Sequence, residues 1–553
     1  MEACAALLAV AIPIALLYRP LGDYMAWVFT SPSHSRVERG IYRLCGVDAD
    51  ATQTWKSYLR ALLAFSLVGL VVLYALQRLQ PWLPYSLGLG LVDRDLAFNT
   101  AASFVGNTNW QSYVAESTMG YTVQMAGLAV QMFVSAAVGL GVAMALTRGI
   151  ASRGARGVGN FWVDVVRASL RLLLPGSIIA ALVFLAGGVV QNFTGFTDVS
   201  TLAGGPQTLP GGPVASQEAI KMLGTNGGGF FNANSAHPFS NPAPWTNAFQ
   251  IFLLLVIPFA LPRTYGRIVG DRRHGYVLLA TMATLFLFAF AFLTWAEAAG
   301  QGTAPQLAGA ALEGKEQRFG VVGSTLFGTA TTGTSGGAAN SMFDSYTALG
   351  GLVLILTMML GEVSPGGVGA GLYAILVLAI ITVFLTGLLL GRAPMLLGNK
   401  IRTREVKLVS LFILVMPALA LTGMAISFGI PALHREMQAS MGNDGLHGFT
   451  EVLYAFISAA VNNGSAFAGL NANTPWLNIA LGVIILLGRF IPIALVLALA
   501  GSFAEQDRVR TTARELPVHR PQFVLLLIGV ILVIALPMFL PFLIVGPLAE
   551  GLG

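Results

Sequence analysis

The sequence predicts an all-α polytopic membrane protein with ten transmembrane helices: four pseudo-symmetric span–pore loop–span repeats plus one extra helix at each end. Three observations support this prediction. Of the 553 residues, 55% are hydrophobic and only 10% are charged, whereas soluble domains carry about 25% charged residues. Apolar runs long enough to cross a bilayer recur along the whole chain. Between pairs of these runs lie four short stretches rich in Gly, Asn, Thr and Ser.

The apolar runs define the expected spans, because about 20 apolar residues cross the hydrocarbon core of a bilayer. The first run is expected to be an uncleaved span, since it shows no small-residue cleavage site of the signal-peptide kind. The seventh is too long for one span, and Pro365 with several glycines in its middle predicts two helical pieces around a break. The expected runs are 4–18, 60–77, 120–146, 169–190, 245–262, 275–296, 346–391, 406–428, 476–499 and 522–545.

The basic residues predict the orientation. If the first run enters from outside, 24 of the 31 Lys and Arg residues lie on inner segments, 6 on outer segments and one, Arg489, inside a span. This asymmetry follows the positive-inside rule and places both termini outside. The net charge of +6 therefore indicates cytoplasmic loops rather than nucleic-acid binding. The two cysteines and six scattered histidines suggest neither a disulfide framework nor a transition-metal site.

An internal repeat accompanies the four stretches. With Thr108, Gly227, Gly337 and Gly464 as anchors, the separations are 119, 110 and 127 residues. We expect a single membrane domain, 1–553, whose parts are an extra first helix with a cytoplasmic loop (1–58), repeats at 59–160, 161–273, 274–404 and 405–515, and an extra last helix (516–553).

A short helix is expected before each stretch. Asp95, Glu218, Glu316 and Glu451 precede apolar-rich segments that run into the four stretches. A carboxylate at a helix start satisfies free amides and complements the helix dipole. The partly negative end of each short helix would then point at a bound cation.

The four stretches are predicted to be re-entrant loops that line a pore. Irregular backbone survives at membrane depth only when it is buried in protein or lines a watery cavity. A ring of backbone carbonyls can replace the hydration shell of a cation. Glycines that only form tight turns or pack helices are the alternative, and a phosphate-binding loop is disfavoured because no Lys-Ser/Thr pair follows Gly229. The stretches are 105–109, 224–229, 334–337 and 461–465.

Longer motifs surround these stretches, at 99–104, 107–113, 224–232 with 241–242, 344–351, 397–401 and 462–470. On these motifs the sequence resembles the potassium-binding A subunits of bacterial Kdp potassium-transporting ATPases over essentially its whole length. The resemblance implies a fold like that of the superfamily of potassium transporters. It also implies a bacterial inner-membrane location, K⁺ as the transported ion without an organic cofactor, a KdpB-like P-type ATPase catalytic subunit, and small KdpC-like and KdpF-like membrane subunits as partners.

The resemblance also implies a set of ion ligands. Gly106 stands where many relatives have a bulkier residue, and Gly336 where some carry cysteine, which loosens the local backbone. Backbone carbonyls would still bind the ion whatever the side chain. The implied selectivity-filter residues are Asn107, Thr108, Thr225, Asn226, Ser335, Gly336, Asn462 and Asn463, with Gly227, Gly337 and Gly464 shaping the backbone.

Four further residues are candidates for the ion pathway or its gate. Glu362, Gly366 and Gly367 lie in the break of the seventh run, and an ionisable group at membrane depth is a functional candidate; the alternative places Glu362 at the inner water interface. Arg392 resembles a family arginine close to the pore, where a positive charge beneath the filter would oppose straight-through cation flow. The alternative for Arg392 is an inner-surface arginine that obeys the positive-inside rule.

The chain carries no motif for handling ATP, neither a Walker loop nor an Asp-Lys-Thr-Gly phosphorylation site. We therefore expect a non-catalytic subunit that uses a partner's ATP hydrolysis. A self-sufficient K⁺ channel or symporter with the same pore architecture is one alternative. A membrane scaffold whose glycine loops only pack is the other.

Overall fold

The computed structural model describes residues 2–152, 154, 157–298, 312–507 and 516–552. Five of the predicted inner basic residues, Arg153, Arg156, Arg508, Arg510 and Arg514, lie outside the described residues. The principal helices, numbered in chain order, are α1 (Glu2–Thr30), α2 (Arg36–Leu44), α3 (Trp55–Arg78), α4 (Arg94–Val105), α5 (Val123–Ala151), α6 (Phe161–Ala186), α7 (Val214–Leu223), α8 (Pro244–Val269), α9 (Arg272–Ala298), α10 (Gly320–Gly333), α11 (Ala348–Met359), α12 (Ala370–Leu389), α13 (Thr403–Gly429), α14 (Pro431–Ser440), α15 (Gly445–Val461), α16 (Pro475–Ala504) and α17 (Gln522–Leu552).

The predicted ten spans are confirmed: in the described ranges, ten helices are long and apolar enough to cross a membrane. They are α1, α3, α5, α6, α8, α9, α12, α13, α16 and α17. Two short antiparallel hairpins, which the sequence analysis did not predict, pair β1 (Thr197–Ser200) with β2 (Pro206–Leu209) and β3 (Met395–Leu396) with β4 (Asn399–Lys400).

The first span is longer than predicted. The apolar run ends near residue 18, yet α1 continues to Thr30. Asp23 forms a salt bridge of 2.8 Å with Arg263 on α8, and a Cβ added to Gly22 would lie only 2.6 Å from the Cβ of Arg263. This close packing stabilises the last part of α1, residues 19–30. Because this part contains charged side chains, it does not belong to the apolar run from which the span was predicted.

The seventh run is broken as predicted. It forms α11 and α12, separated by residues 360–369. Gly366 and Gly369 adopt φ values of 87° and 90° in this segment, a region that glycine enters readily. A Cβ on Gly369 would clash with the carbonyl group of Gly139 on α5, so the break is packed into the bundle.

Each of the four repeated units places a short helix between two spans. These pore helices are α4, α7, α10 and α15, with 12, 10, 14 and 17 residues. They end at Val105, Leu223, Gly333 and Val461, which are either the first residue of a predicted stretch or the residue directly before it; we call the four stretches the filter loops. The predicted short helices are therefore present, with their carbonyl ends at the filter loops.

The prediction that each pore helix begins with a carboxylate is wrong for three of the four helices. Asp95 does lie in the first turn of α4, but Glu316 precedes α10 by four residues. Glu218 lies in the middle of α7, where it pairs with the buried Lys221 at 2.8 Å. Glu451 lies in the second turn of α15 and accepts a hydrogen bond from the Gly442 amide at 2.8 Å. Glu218 and Glu451 thus satisfy specific donors, Lys221 of the same helix and the Gly442 amide, instead of capping their own helix.

Candidate functional site

The four filter loops meet at one centre. A Cβ added to Gly337 would lie 2.7 Å from the Cα of Gly227 and 3.0 Å from the carbonyl carbon of Gly464. A Cβ on either Gly227 or Gly464 would clash with the carbonyl oxygen of Thr108. Segments more than 100 residues apart in sequence therefore approach within van der Waals contact, as the repeat pattern predicts. Gly464 is half-buried, and the other ten predicted filter residues are buried.

Backbone carbonyls face this centre. The Thr108 oxygen lies against the Cα atoms of Gly227 and Gly464, and the Asn463 oxygen lies against those of Gly337 and Gly227. The carbonyl ends of the four pore helices also point here, and each carries roughly half a negative charge through the helix dipole. This arrangement offers neutral oxygen ligands and a field that favours a cation.

The backbone of each filter loop enters the left-handed region. Non-glycine residues seldom adopt positive φ, although asparagine tolerates it better than most. Such residues cost about 1–3 kcal/mol each and cluster at functional sites. One such residue follows each pore helix, Asn107 (64°), Thr225 (46°), Ser335 (56°) and Asn462 (62°), and the first filter loop also holds Asn109 (58°). One left-handed residue near each pore-helix end turns the chain so that the following backbone can approach the centre.

Asparagine side chains hold the loops in place. The Asn107 amide donates to the carbonyl oxygens of Gly224 and Thr225 at 3.4 and 3.3 Å. Its own oxygen accepts from the Ser135 hydroxyl of α5 at 2.7 Å. The Asn462 amide donates to the Thr108 hydroxyl at 3.0 Å. These side chains tie loop to loop and loop to span, and the Thr225 carbonyl oxygen, a proposed ion ligand, accepts one of these hydrogen bonds.

Glu362 lies directly beneath the filter loops. It is 4% exposed; the Ser335 hydroxyl donates to its Oε2, and the Asn463 amide donates to its Oε1 at 2.9 Å. The alternative of an inner-water position is therefore wrong. The same broken segment reaches a second filter loop, because the Val368 amide donates to the Thr225 hydroxyl at 3.0 Å.

The two predicted glycines of the break also touch the pore structure. The Gly366 amide donates to the carbonyl of Gly333, the last residue of α10, at 2.7 Å. A Cβ on Gly367 would lie 3.0 Å from the Thr334 carbonyl oxygen. The break therefore packs against the third filter loop from below.

A buried arginine lies near this segment, and it is Arg489 rather than Arg392. Arg489 on α16 is 6% exposed and donates to the Ser135 carbonyl at 3.2 Å. Arg392 is exposed just past the end of α12, about 30 Å from the break by helix rise. The sequence did show the relevant signal, a lone cation inside a span, which marks function by default.

An outer cavity of about 410 Å³ leads to the filter loops. Asn109, Trp110 and Gln111 contribute to its wall. Both side-chain polar atoms of Asn109 are buried and, among the described residues, make no hydrogen bond. The cavity gives an ion in solution a polar approach to the centre.

Near this cavity, His447 joins two carboxylates. It contacts Asp344 at 3.2 Å and Glu550 of α17 at 2.8 Å. These hydrogen bonds raise the pKa of His447 from 6.5 to about 10. Asp344 thereby pairs with a histidine beside the cavity.

We expect this pair of contacts to make stability depend on pH. Because the pKa of His447 is raised in the folded protein, its contribution is complete below pH 6.5 and is lost as the pH rises through about 10. The contribution should be on the order of 1–2 kcal/mol, since partial exposure screens the charges. In thermal unfolding of the purified complex, His447→Gln should flatten the fall in apparent Tm between pH 7 and pH 10.

His434→Gln serves as the matched control, since His434 forms no salt bridge in the ranges that the structure covers. An identical pH profile for wild type and His447→Gln would contradict the assignment.

The sequence model of the family described as potassium-transporting ATPase A subunit, KdpA, matches residues 7–552. Curated relatives named potassium-transporting ATPase potassium-binding subunit are similar over nearly their whole length. The protein of Clavibacter michiganensis subsp. michiganensis is 64% identical over 544 residues, 98% of each chain. That of Cutibacterium acnes is 57% identical over 547 residues, 99% of this chain and 98% of its own.

Among solved structures, the potassium transporter TrkH from Vibrio parahaemolyticus is similar with a TM-score of 0.52. The match covers 90% of this chain and 99% of that chain at 14% sequence identity. At this identity the likeness shows a shared fold alone.

Proposed function

The chain belongs to the KdpA family of potassium-transporting ATPase A subunits, and from this premise we propose that its filter loops select K⁺ and deliver it toward a partner P-type ATPase subunit. The chain is a non-catalytic subunit, and the ATPase activity lies on another chain. K⁺ is the transported ion. The alternative of a self-sufficient channel or symporter is not favoured, because the relatives are named as ATPase subunits over the full length.

The observation that carries the proposal is the convergence of four filter loops on one centre. Neutral carbonyl oxygens can replace the water around K⁺ without binding it so tightly that it cannot leave. Thr108 and Asn463 present carbonyls against the three facing glycines. The proposed ion-binding residues remain Asn107, Thr108, Thr225, Asn226, Gly227, Ser335, Gly336, Gly337, Asn462, Asn463 and Gly464.

Below the filter, the proposed path turns sideways. Glu362 would attract a K⁺ ion that leaves the filter, whereas Arg489 would repel one that continues straight through. The break at residues 360–369, with Gly366 and Gly367, offers the segment that can move to open a lateral exit. A pump needs this arrangement, since a continuous path to both sides would dissipate the gradient.

The proposed partners of this chain are a KdpB-like catalytic subunit and small KdpC-like and KdpF-like membrane subunits. The complex lies in the bacterial inner membrane, surrounded by lipid, with both termini of this chain outside, in agreement with the distribution of basic residues. The repeat boundaries at 59–160, 161–273, 274–404 and 405–515 also remain proposals.

Ion competition on the purified complex tests this function. K⁺ should stimulate ATP hydrolysis, while Na⁺ at the same concentration should stimulate it at least about tenfold less, because the carbonyl ring matches the larger ion. Equal stimulation by the two ions would reject the filter assignment. Passive K⁺ flux through this chain reconstituted alone would instead support the channel alternative.

A further inference from the structure

A groove on the lipid-facing side of the bundle is separate from the filter loops, none of whose residues line it. It runs between α1 and α9 over the surface of α8 and encloses about 590 Å³, within the range of roughly 300–1,000 Å³ typical of ligand sites. Its wall is almost entirely apolar, with Leu7, Val10, Ile14, Phe259, Ala283 and Phe286 among the lining side chains. We call it the α1–α9 groove.

The length of the α1–α9 groove corresponds to one leaflet. Its lining along α1 runs from Leu7 to Arg19, which spans about 18 Å at 1.5 Å per residue. Half of the roughly 30 Å hydrocarbon core is about 15 Å. A single acyl chain anchored at the Arg19 end would therefore lie along the groove to about the bilayer midplane.

At the Arg19 end of the groove, a contact between two aromatic rings leaves no slot for a protein helix between α1 and α9. The rings of Tyr18 on α1 and Tyr276 on α9 approach to 5.9 Å between centroids. A transmembrane helix needs a slot about 10 Å wide. The tyrosines also carry hydroxyls at the level where Tyr side chains commonly meet the membrane–water interface.

This end of the groove carries excess positive charge. Five positively charged side chains and two carboxylates, Asp23 and Asp271, lie here. The positive side chains are Arg19, Arg263, Arg267, Arg272 and Arg273. Asp23 pairs with Arg263 at 2.8 Å and Arg267 at 3.4 Å, and Asp271 accepts hydrogen bonds from the amides of Arg273 and His274. Within the described part of the chain, Arg19 and Arg272 form no salt bridge, and both are exposed.

A second, polar cavity lies about one helical turn beyond this end. It encloses about 400 Å³ between α1 and the α8–α9 turn, and Asp23, Trp27, Arg267 and Arg272 contribute to its wall. Arg272 lies one helical turn from Tyr276, so the polar cavity adjoins the mouth of the α1–α9 groove. An apolar channel of leaflet length that ends in a basic polar cavity matches the two parts of a phospholipid.

We infer that the α1–α9 groove binds one anionic phospholipid from the leaflet opposite the filter loops, with an acyl chain in the groove and its phosphate held by Arg19 and Arg272. Each arginine near the membrane surface strengthens the binding of an anionic lipid by about fivefold. A zwitterionic lipid of the same chain length gains the apolar contact but little of this attraction.

Native mass spectrometry of the delipidated complex tests the inference, with dioleoyl phosphatidylglycerol and dioleoyl phosphatidylcholine as probes. The double variant Arg19→Gln/Arg272→Gln should weaken the first phosphatidylglycerol binding event by roughly 30-fold and leave phosphatidylcholine nearly unchanged. Arg36→Gln/Arg39→Gln on α2 is the matched control, since these exposed arginines lie outside the groove. It should bind both lipids like the wild type.

A second variant tests the apolar part. Ala15→Phe fills the groove from the exposed face of α1 and should abolish the tight binding event for phosphatidylglycerol while the complex remains assembled. Unchanged phosphatidylglycerol binding in both variants would overturn the inference. So would cross-linking of an Ala15→Cys variant to a partner's transmembrane helix, because the groove would then hold protein.

Discussion

Replacing Gly227 with alanine is expected to lower the apparent K⁺ affinity of the complex by roughly 100-fold. The added methyl would clash with the carbonyl oxygen of Thr108 and lie 3.3 Å from that of Asn463. Both oxygens belong to the proposed ion site, so they must turn or retreat. The loss of a well-placed oxygen ligand costs about 1.5–3 kcal/mol of binding free energy, which accounts for a change in K⁺ affinity of this size. The measurement is K⁺-stimulated ATP hydrolysis over a K⁺ titration, repeated with Na⁺.

The matched control is Gly90→Ala, a glycine on the same side of the protein with nothing within 4 Å of an added Cβ. It should leave the K⁺ titration unchanged. Since Gly227→Ala changes only the packing of the loops, the complex should still purify intact in size-exclusion chromatography. If an intact Gly227→Ala complex discriminated between K⁺ and Na⁺ as the wild type does, Gly227 would not belong to the selectivity filter.

Replacing Arg489 with glutamine is expected to open a passive K⁺ leak. A unit positive charge about 8 Å from a K⁺ ion opposes it by roughly 2 kcal/mol at an effective dielectric constant of about 20, which corresponds to about 30-fold in rate. Arg489 is buried beside the filter support residue Ser135, where this barrier acts on an ion below the filter. The measurement is ATP-independent K⁺ flux in proteoliposomes that contain the whole complex.

Two further variants separate charge from shape and position. Arg489→Lys keeps the positive charge and should leak far less than Arg489→Gln. Arg392→Gln removes an exposed arginine beyond α12 and should not leak. If Arg392→Gln leaked K⁺ and Arg489→Gln did not, Arg392 would be the residue that opposes passive K⁺ flow. The assignment of this role to the buried Arg489 would then be rejected.

Much of the site was predictable because its signals are local. The filter loops stand out by their glycine, asparagine and serine content, and the run 346–391 is too long for one helix whatever its surroundings. The role of Glu451 was not predictable in the same way. Whether this carboxylate caps its own helix depends on whether a donor outside the helix, the Gly442 amide, lies nearby in space.

The choice between the two arginines shows the same limit. Arg392 follows the broken run in sequence, which suggested a place near the pore, but twenty helical residues of α12 carry it away from the filter. Arg489 belongs to a span whose start is over 100 residues from the break, and only the packing of α16 against α5 places it there. The hydrogen bonds of Ser135 with Asn107 and Arg489 could not be predicted either, because they also depend on how the helices pack.

The amino-acid sequence by itself determined the membrane location, the ten spans, the four repeats and the filter loops, because a bilayer admits only long apolar helices and restricts irregular backbone to protected positions. Tertiary structure alone decided which carbonyls face the centre, which side chains support them and which charges lie beneath. Those features depend on contacts between segments far apart in the chain, and a contact of a few ångströms is set by how whole helices pack.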